Sequence, residues 1–248
     1  MLKVAQYQEL LRNLVVWDAY LLTESGLPGP RGNIELAQAV ANEGDRELFQ
    51  RYLAYRADTA PVNSPYEFLA FCGTLGLGRL LAEGDISQLQ SLRSLASDRR
   101  WRLREAVAMA LQRLGEVNMG QLIESVRTWS LGTPLEQRAA AAAICEPRLL
   151  GDTQCAFNAL KILDTIMDSI VQTADRRGDE HHALRKGLGY CWSVAVAALP
   201  VEGKMLMEKW LGKPDKDIQW IMQENLKKNR LERMDAEWVS HWRRSKGG

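Results

Sequence analysis

Leu103 to Leu111 and Arg138 to Ile144 carry the same pattern of small and apolar residues in one register, with Arg104 and Arg138 aligned at a step of 34 residues. The same step backwards sets Leu69 on Leu103, Cys72 on Ala106, Gly76 on Ala110 and Leu77 on Leu111, and a further step reaches Leu36, Ala39 and Val40. Forwards, Arg185 to Tyr190 follows Arg138 by 47 residues, the surplus falling in the polar stretch Gln172 to His182, and a last step of 34 arrives at Gln219, Trp220 and Ile221. The period inside a unit is helical: Leu103, Ala106, Val107, Ala110, Leu111 and Leu114 make the apolar stripe of an amphipathic helix. A helical pair of this length cannot bury its apolar face alone, so neighbours must stack.

Breaks expected from glycine and proline lie at Glu43-Gly44-Asp45, Glu83-Gly84-Asp85, Gly115-Glu116, Gly132-Thr133-Pro134, Pro200 to Gly203 and Gly212-Lys213-Pro214. Each unit reads as helix, turn, helix, and no strand pattern is present. Asp98 precedes Arg104 by six residues and Asp179 precedes Arg185 by six, a spacing that suits an N-cap acid and pairing between repeats. Over about residues 34 to 226 the sequence resembles HEAT-like repeat proteins. The resemblance implies an all-α fold, a right-handed α-solenoid of about six helical pairs. The chain reads as one domain over 1–248, with 1–30 as an N-terminal capping helix and loop and 227–248 as a basic C-terminal cap or tail. Within these ends, Met1 to Tyr20 is expected to form an amphipathic helix, and Ala236 to Lys246 to cap the last repeat through Trp238 and Trp242, leaving Arg243 and Arg244 to solvent.

At 248 residues and 46% hydrophobic, the chain is long enough to bury a sizeable core. Its 32 basic and 31 acidic side chains nearly cancel, so an electrostatic site has to come from segregation of charge. Segregation is visible at the C-terminus, where Lys227, Lys228, Arg230, Arg233, Arg243, Arg244 and Lys246 outnumber the acids. Cys72, Cys145, Cys155 and Cys191 are scattered and form no CxxC, which predicts buried thiols in a reducing compartment. The N-terminal segment lacks the layout of a signal peptide and the longest apolar run, Gly187 to Pro200, is too short to cross a bilayer. A cytoplasmic protein without membrane, metal or cofactor is expected.

Gly73, Gly76 and Gly78 imitate a phosphate-binding loop, but the repeat register puts Gly73 and Gly76 at buried helix positions, where a missing side chain allows close helix approach. His181 and His182, adjacent in the polar insert, suit a solvated loop better than a metal site. No Ser-His-Asp, Cys-His or Walker-type pattern occurs. Of the eight tryptophans, Trp220 reads as core between Ile218 and Ile221, whereas Trp101 and Trp129 sit at helix ends and are candidates for stacking on a partner.

Arg185-Lys186-Gly187-Leu188-Gly189-Tyr190 is similar to a Lys-Ala-Ile-Gly-Trp segment of the HEAT-like alkylpurine DNA glycosylases of the AlkD type, and Trp129-Ser130 with Arg138-Ala139-Ala140 resembles that family's Trp-Ser and Arg-Arg-x-Ala segments. The resemblance implies duplex DNA on a concave basic face, with Trp129, Arg138, Lys186 and Tyr190 as contacts. The family's Trp-Asp-x-x-Asp segment has no match: Asp98 here precedes Trp101 instead of following a tryptophan, which makes it the weak catalytic candidate and, in the repeat register, a helix cap. Two functions are thus in competition. One is a non-enzymatic scaffold that binds a protein partner on its concave face, and the other is a DNA-binding repair protein with or without excision activity.

Overall fold

In a computed structural model that describes residues 2–244, the protein is all-helical: the described residues form fifteen α-helices and no strand. They divide into two compact units that meet in sequence at Asn118 and Met119.

The first unit contains α1 (Leu2–Arg12), α2 (Asp18–Glu24), α3 (Ile34–Glu43), α4 (Arg46–Leu53), α5 (Pro65–Ala82), α6 (Gln88–Leu95) and α7 (Trp101–Val117). Local chemistry sets the starts. Asn33, Asp45 and Ser64 each accept from a backbone N–H of the first turn of α3, α4 and α5, and Pro65 fills the first-turn position of α5, where its missing N–H costs nothing. The single N-terminal helix expected to Tyr20 is two helices. Trp17 Nε1 donates to Leu11 O at 2.9 Å and satisfies an end carbonyl of α1, and the chain bends before α2. Helices α3, α5 and α7, one repeat apart, pack side by side, with α4 and α6 against α5.

Glycines make that packing close. A β-carbon on Gly73 would lie 2.9 Å from Phe49 O, and one on Gly78 would lie 2.5 Å from Ala110 Cα. All three residues of the Gly73 to Gly78 pattern are inside α5 and buried, so packing accounts for them. The break expected at Gly115-Glu116 is absent, because α7 continues to Val117 and ends where Asn118 N–H bonds to Leu114 O.

The second unit contains α8 (Met119–Trp129), α9 (Pro134–Ile144), α10 (Thr153–Gln172), α11 (Asp179–Ala198), α12 (Pro200–Leu211), α13 (Lys216–Leu226), α14 (Asn229–Met234) and α15 (Ala236–Arg244). Thr133 and Glu136 close a reciprocal capping box on α9, and Asp152 and Asp215 cap α10 and α13. Again the alternate helices α9, α11 and α13 pack side by side. The break expected over Pro200 to Gly203 contracts to Leu199, since Pro200 opens α12 and Gly203 is buried against Val196. The polar insert is the end of α10, a connection over 173–178 and the first turn of α11. His181 and His182 are therefore helical and not on a loop.

Cys72, Cys145 and Cys191 are buried, and none of the four cysteines is in a disulfide. At the C-terminus Val239 is buried and Trp238 Nε1 donates to Glu208 Oε1 at 2.7 Å, which docks α15 on α12. Arg243 is exposed, as expected, but it is also bonded. Its Nη2 donates to Leu226 O at 2.7 Å, satisfying an end carbonyl of α13, and its Nη1 pairs with Glu232 at 2.8 Å. Lys246 lies outside the described residues.

Candidate partner-binding face

Two glycines decide what lies on α11. A β-carbon on Gly187 would sit 3.2 Å from Arg138 Cγ, and one on Gly189 would sit 3.2 Å from both Trp220 Cζ3 and Glu224 Cβ. With hydrogen in those places, Arg138 of α9 reaches across α11 from one side and Trp220 of α13 from the other. The repeat step had aligned these same helices in the sequence.

The charged side chains then settle around the rings. The Arg185 guanidinium stands 4.1 Å from the Trp220 ring centre, and its Nε lies 3.2 Å from Asp217 Oδ1. Arg230 covers Tyr190 at 4.7 Å and donates from Nη2 to the Tyr190 hydroxyl, while Lys228 Nζ is 6.0 Å from the same ring. Such contacts contribute about 0.5–1 kcal/mol each at exposed positions and hold flexible cations in place. His182, Arg185, Lys186, Gly189, Tyr190, Trp220, Glu224 and Lys228 surround a cleft of about 440 Å³.

Its charge is unbalanced. Arg185 is offset by Asp217, and Glu224 is offset by Lys227. Lys186 and Lys228 form no ion pair among the described residues. A neighbouring hollow of about 830 Å³ shares His182 and Arg185 and is different in character. There the half-buried Arg176 bonds Asp215 at 2.7 and 3.0 Å and Asp217 at 3.3 Å, so this cation is already held by acids. Burial pushes the Asp215 carboxyl up, but the hydrogen bond from Arg176 and the helix N–H groups outweigh it and hold the group below the ordinary carboxylate range.

Of the residues singled out in the sequence, Arg138, Lys186 and Tyr190 come together on this face. Lys186 and Tyr190 are exposed. Trp129 is only 3% exposed, which removes its ring as a surface contact. Asp98 and Trp101 belong to the first unit.

Asp98 is not the cap of α7. The N-cap residue is Arg100, and Asp98 Oδ1 accepts from Arg100 N at 2.7 Å and Nε at 3.0 Å while Oδ2 accepts from Nη2 at 2.8 Å. Burial raises the Asp98 carboxyl, the Arg100 bonds lower it, and the balance lies below the usual value. Both oxygens are thus committed to a buried arginine that also donates to Tyr55 O and Ala60 O. Arg104 donates to the carbonyls of Asp98 and Arg99, and its charge adds to the Arg100 bonds in lowering the Asp98 carboxyl. Arg185 takes Asp217 and not Asp179.

A carboxyl whose folded value is lowered contributes stability above its ordinary pKa and loses it as the pH falls through the lowered value. Asp98→Asn is therefore expected to be less stable than the parent at neutral pH by about 2 kcal/mol, a typical loss for a charged hydrogen bond. The difference should narrow as the pH falls below the ordinary carboxylate value, and urea titrations at pH 7 and pH 3 measure the narrowing.

Trp220, which the sequence reads as core, joins the face, as do Lys228 and Arg230 from the basic C-terminal cluster. Ile218 and Ile221 flank Trp220 in sequence and are both buried, yet Trp220 itself is half-buried. The signal was Gly189, a vacancy one repeat earlier that a large ring fills.

Among the described residues no helix is long and apolar enough to cross a membrane, and no group of three or more His, Cys, Asp or Glu has metal-binding geometry. Comparison with protein-family models, curated proteins and solved structures gives no match to this chain.

Proposed function

We propose that this protein is a non-enzymatic helical-repeat module that holds an anionic partner on the face carried by α9, α11 and α13. The single observation behind the reading is the cleft in which two unpaired lysines, Lys186 and Lys228, stand beside the rings of Tyr190 and Trp220. Cations that already have acids make poor docking points, because a new anion must compete with the old partner. Lys186 and Lys228 have no such competitor, and the rings beside them are rigid contact area at low entropic cost. The HEAT-like architecture is part of the same proposal: right-handed α-solenoid packing of about six helical pairs. Its support is the stacking of alternate helices within each unit at the sequence repeat.

Duplex DNA is the partner that the glycosylase resemblance implies, and Arg138, Lys186 and Tyr190, which carry the resemblance, share this face. A fluorescently labelled 20-base-pair duplex tests it directly. Lys186→Glu with Lys228→Glu is expected to weaken binding at least tenfold and to flatten the dependence of log K on log salt by about 2, since two phosphate contacts are lost. Binding unchanged by the double substitution removes the face. No binding by the parent chain at low salt removes DNA and leaves a protein partner with acidic segments. An active glycosylase would contradict the non-enzymatic reading. Release of free base from methylated duplex above the spontaneous rate, abolished in Asp98→Asn, would show it.

A further inference from the structure

Histidine is the side chain that ordinarily gains or loses its charge between pH 5 and pH 8, and one histidine, His182, lines the cleft of Lys186 and Lys228. His182 is exposed and lies one turn before Lys186 on α11, so the two side chains share a face of the helix. It also stands, with Arg185, in the wall between the cleft and the neighbouring hollow. Among the described residues its imidazole makes no hydrogen bond and no ion pair. The adjacent His181 is placed differently. Hydrogen bonds from Arg177, with a smaller contribution from the charge of His181, hold the Asp175 carboxyl below its ordinary range, so His181 already faces an acid.

Every acid that lines the cleft or the hollow is held by another cation. On the connection before α11, Asp175 pairs with Arg177 at 3.0 Å. On α13, Asp215 is held by Arg176, Asp217 by Arg176 and Arg185, and Glu224 by Lys227. Asp179 and Glu180, in the same first turn as His182, line neither space. The other charged groups around His182 are the lysines: Lys186 on its own helix, Lys216 at the start of α13 and Lys228 just past its end. Like Lys186 and Lys228, Lys216 forms no ion pair among the described residues.

We propose, on the reading of this face as an anion site, that His182 makes it sensitive to pH. Its imidazolium is the third cation of the cleft without an acid, and the face takes up a proton from solvent at His182 when the anionic partner binds. An imidazolium so placed gains its first opposite charge only when that anion enters. Linkage makes the effect mutual: the proton strengthens anion binding by the same factor by which the anion strengthens proton binding. One opposite charge at about 4 Å in water supplies a factor of about five. The gain is complete below the pH at which the imidazole of the complex titrates and is lost as the pH rises through it.

A heparin octasaccharide is the probe, because its sulfates stay ionised throughout this range. In calorimetric titrations of the full chain at low salt, binding is expected to be about fivefold tighter at pH 5.5 than at pH 7.5, with proton uptake read from the dependence of the heat on the buffer. His182→Gln should reduce the gain to less than about twofold, and His181→Gln should retain it. A second measurement needs no variant. In the ¹³C spectrum of the parent chain, the bound octasaccharide should raise the titration midpoint of the His182 ring by about 0.7 pH unit, the same fivefold factor, and leave that of His241 on α15 in place. A full gain in His182→Gln, or a His182 midpoint unmoved by the bound probe, would overturn the proposal while the face stands as an anion site. No binding at either pH would remove the face and the pH response together.

Discussion

Replacing Arg102 with methionine is expected to destabilise the protein by about 3–5 kcal/mol, the loss that follows when one partner of a buried ion pair is removed and the other stays behind. The reason lies in what Arg102 holds. Glu67 is fully buried inside α5, and its Oε2 accepts from Arg102 Nη1 and from Asn63 N at 2.7 Å. Asn63 has a positive φ of 68°, and its side chain accepts from Gly29 N at 3.0 Å. One arginine therefore neutralises a buried carboxylate and ties together the loop at Gly29 and the turn before α5. Methionine keeps the bulk but leaves the Glu67 carboxylate dry and without its cation. Adding Glu67→Gln should return much of the loss, since the remaining group is neutral and can still accept from Asn63 N. Equilibrium urea unfolding of the two single variants and the double variant closes the cycle. A single-variant loss under 1 kcal/mol would mean that water already reaches Glu67.

This pair also shows where reading a sequence stops. The repeat register marked Leu103, Ala106, Val107 and Ala110 as buried, and all four are, because apolar periodicity reports which side of a helix faces inwards. The same register gave no sign that Arg102 is buried next to Leu103 or that Glu67 is buried at the first turn of α5. Their burial depends on a partner 35 residues away, and nothing local in either stretch records it. The candidate face divides in the same way. Lys186 and Tyr190 were named through the resemblance of their segment to the glycosylase one, and both are exposed. The tryptophans were not legible, because the neighbours in sequence do not record whether a ring faces inwards, as that of Trp129 does at the end of α8, or lies over another helix, as that of Trp220 does from the middle of α13. Helix ends failed for a related reason. Gly115 and Gly203 were read as breaks by residue type, yet Gly203 packs against Val196 and both remain helical.

Glycines that look like a loop but lie in a helix lead to the other large effect. Gly78→Ala would ordinarily stabilise a helix interior by about 1 kcal/mol. Here the sign should reverse. The new β-carbon would lie 2.5 Å from Ala110 Cα and 2.9 Å from Ala110 O, and these are backbone atoms of α7 that cannot turn aside. The two helices must separate, and overpacking of this kind costs about 1–3 kcal/mol and occasionally more. A net loss of about 2 kcal/mol is expected for Gly78→Ala. Gly76→Ala should lose a similar amount for a different reason, since its β-carbon would enter the ring of the fully buried Phe49. The remedies differ accordingly. Shortening the ring with Phe49→Leu should recover part of the Gly76→Ala loss, because the obstruction is a side chain. Ala110→Gly should recover little of the Gly78→Ala loss, because the Cα and carbonyl of residue 110 stay where they are. Thermal and urea unfolding of both pairs separates the cases. If Ala110→Gly restores Gly78→Ala fully, the side chain and not the backbone sets the spacing of α5 and α7.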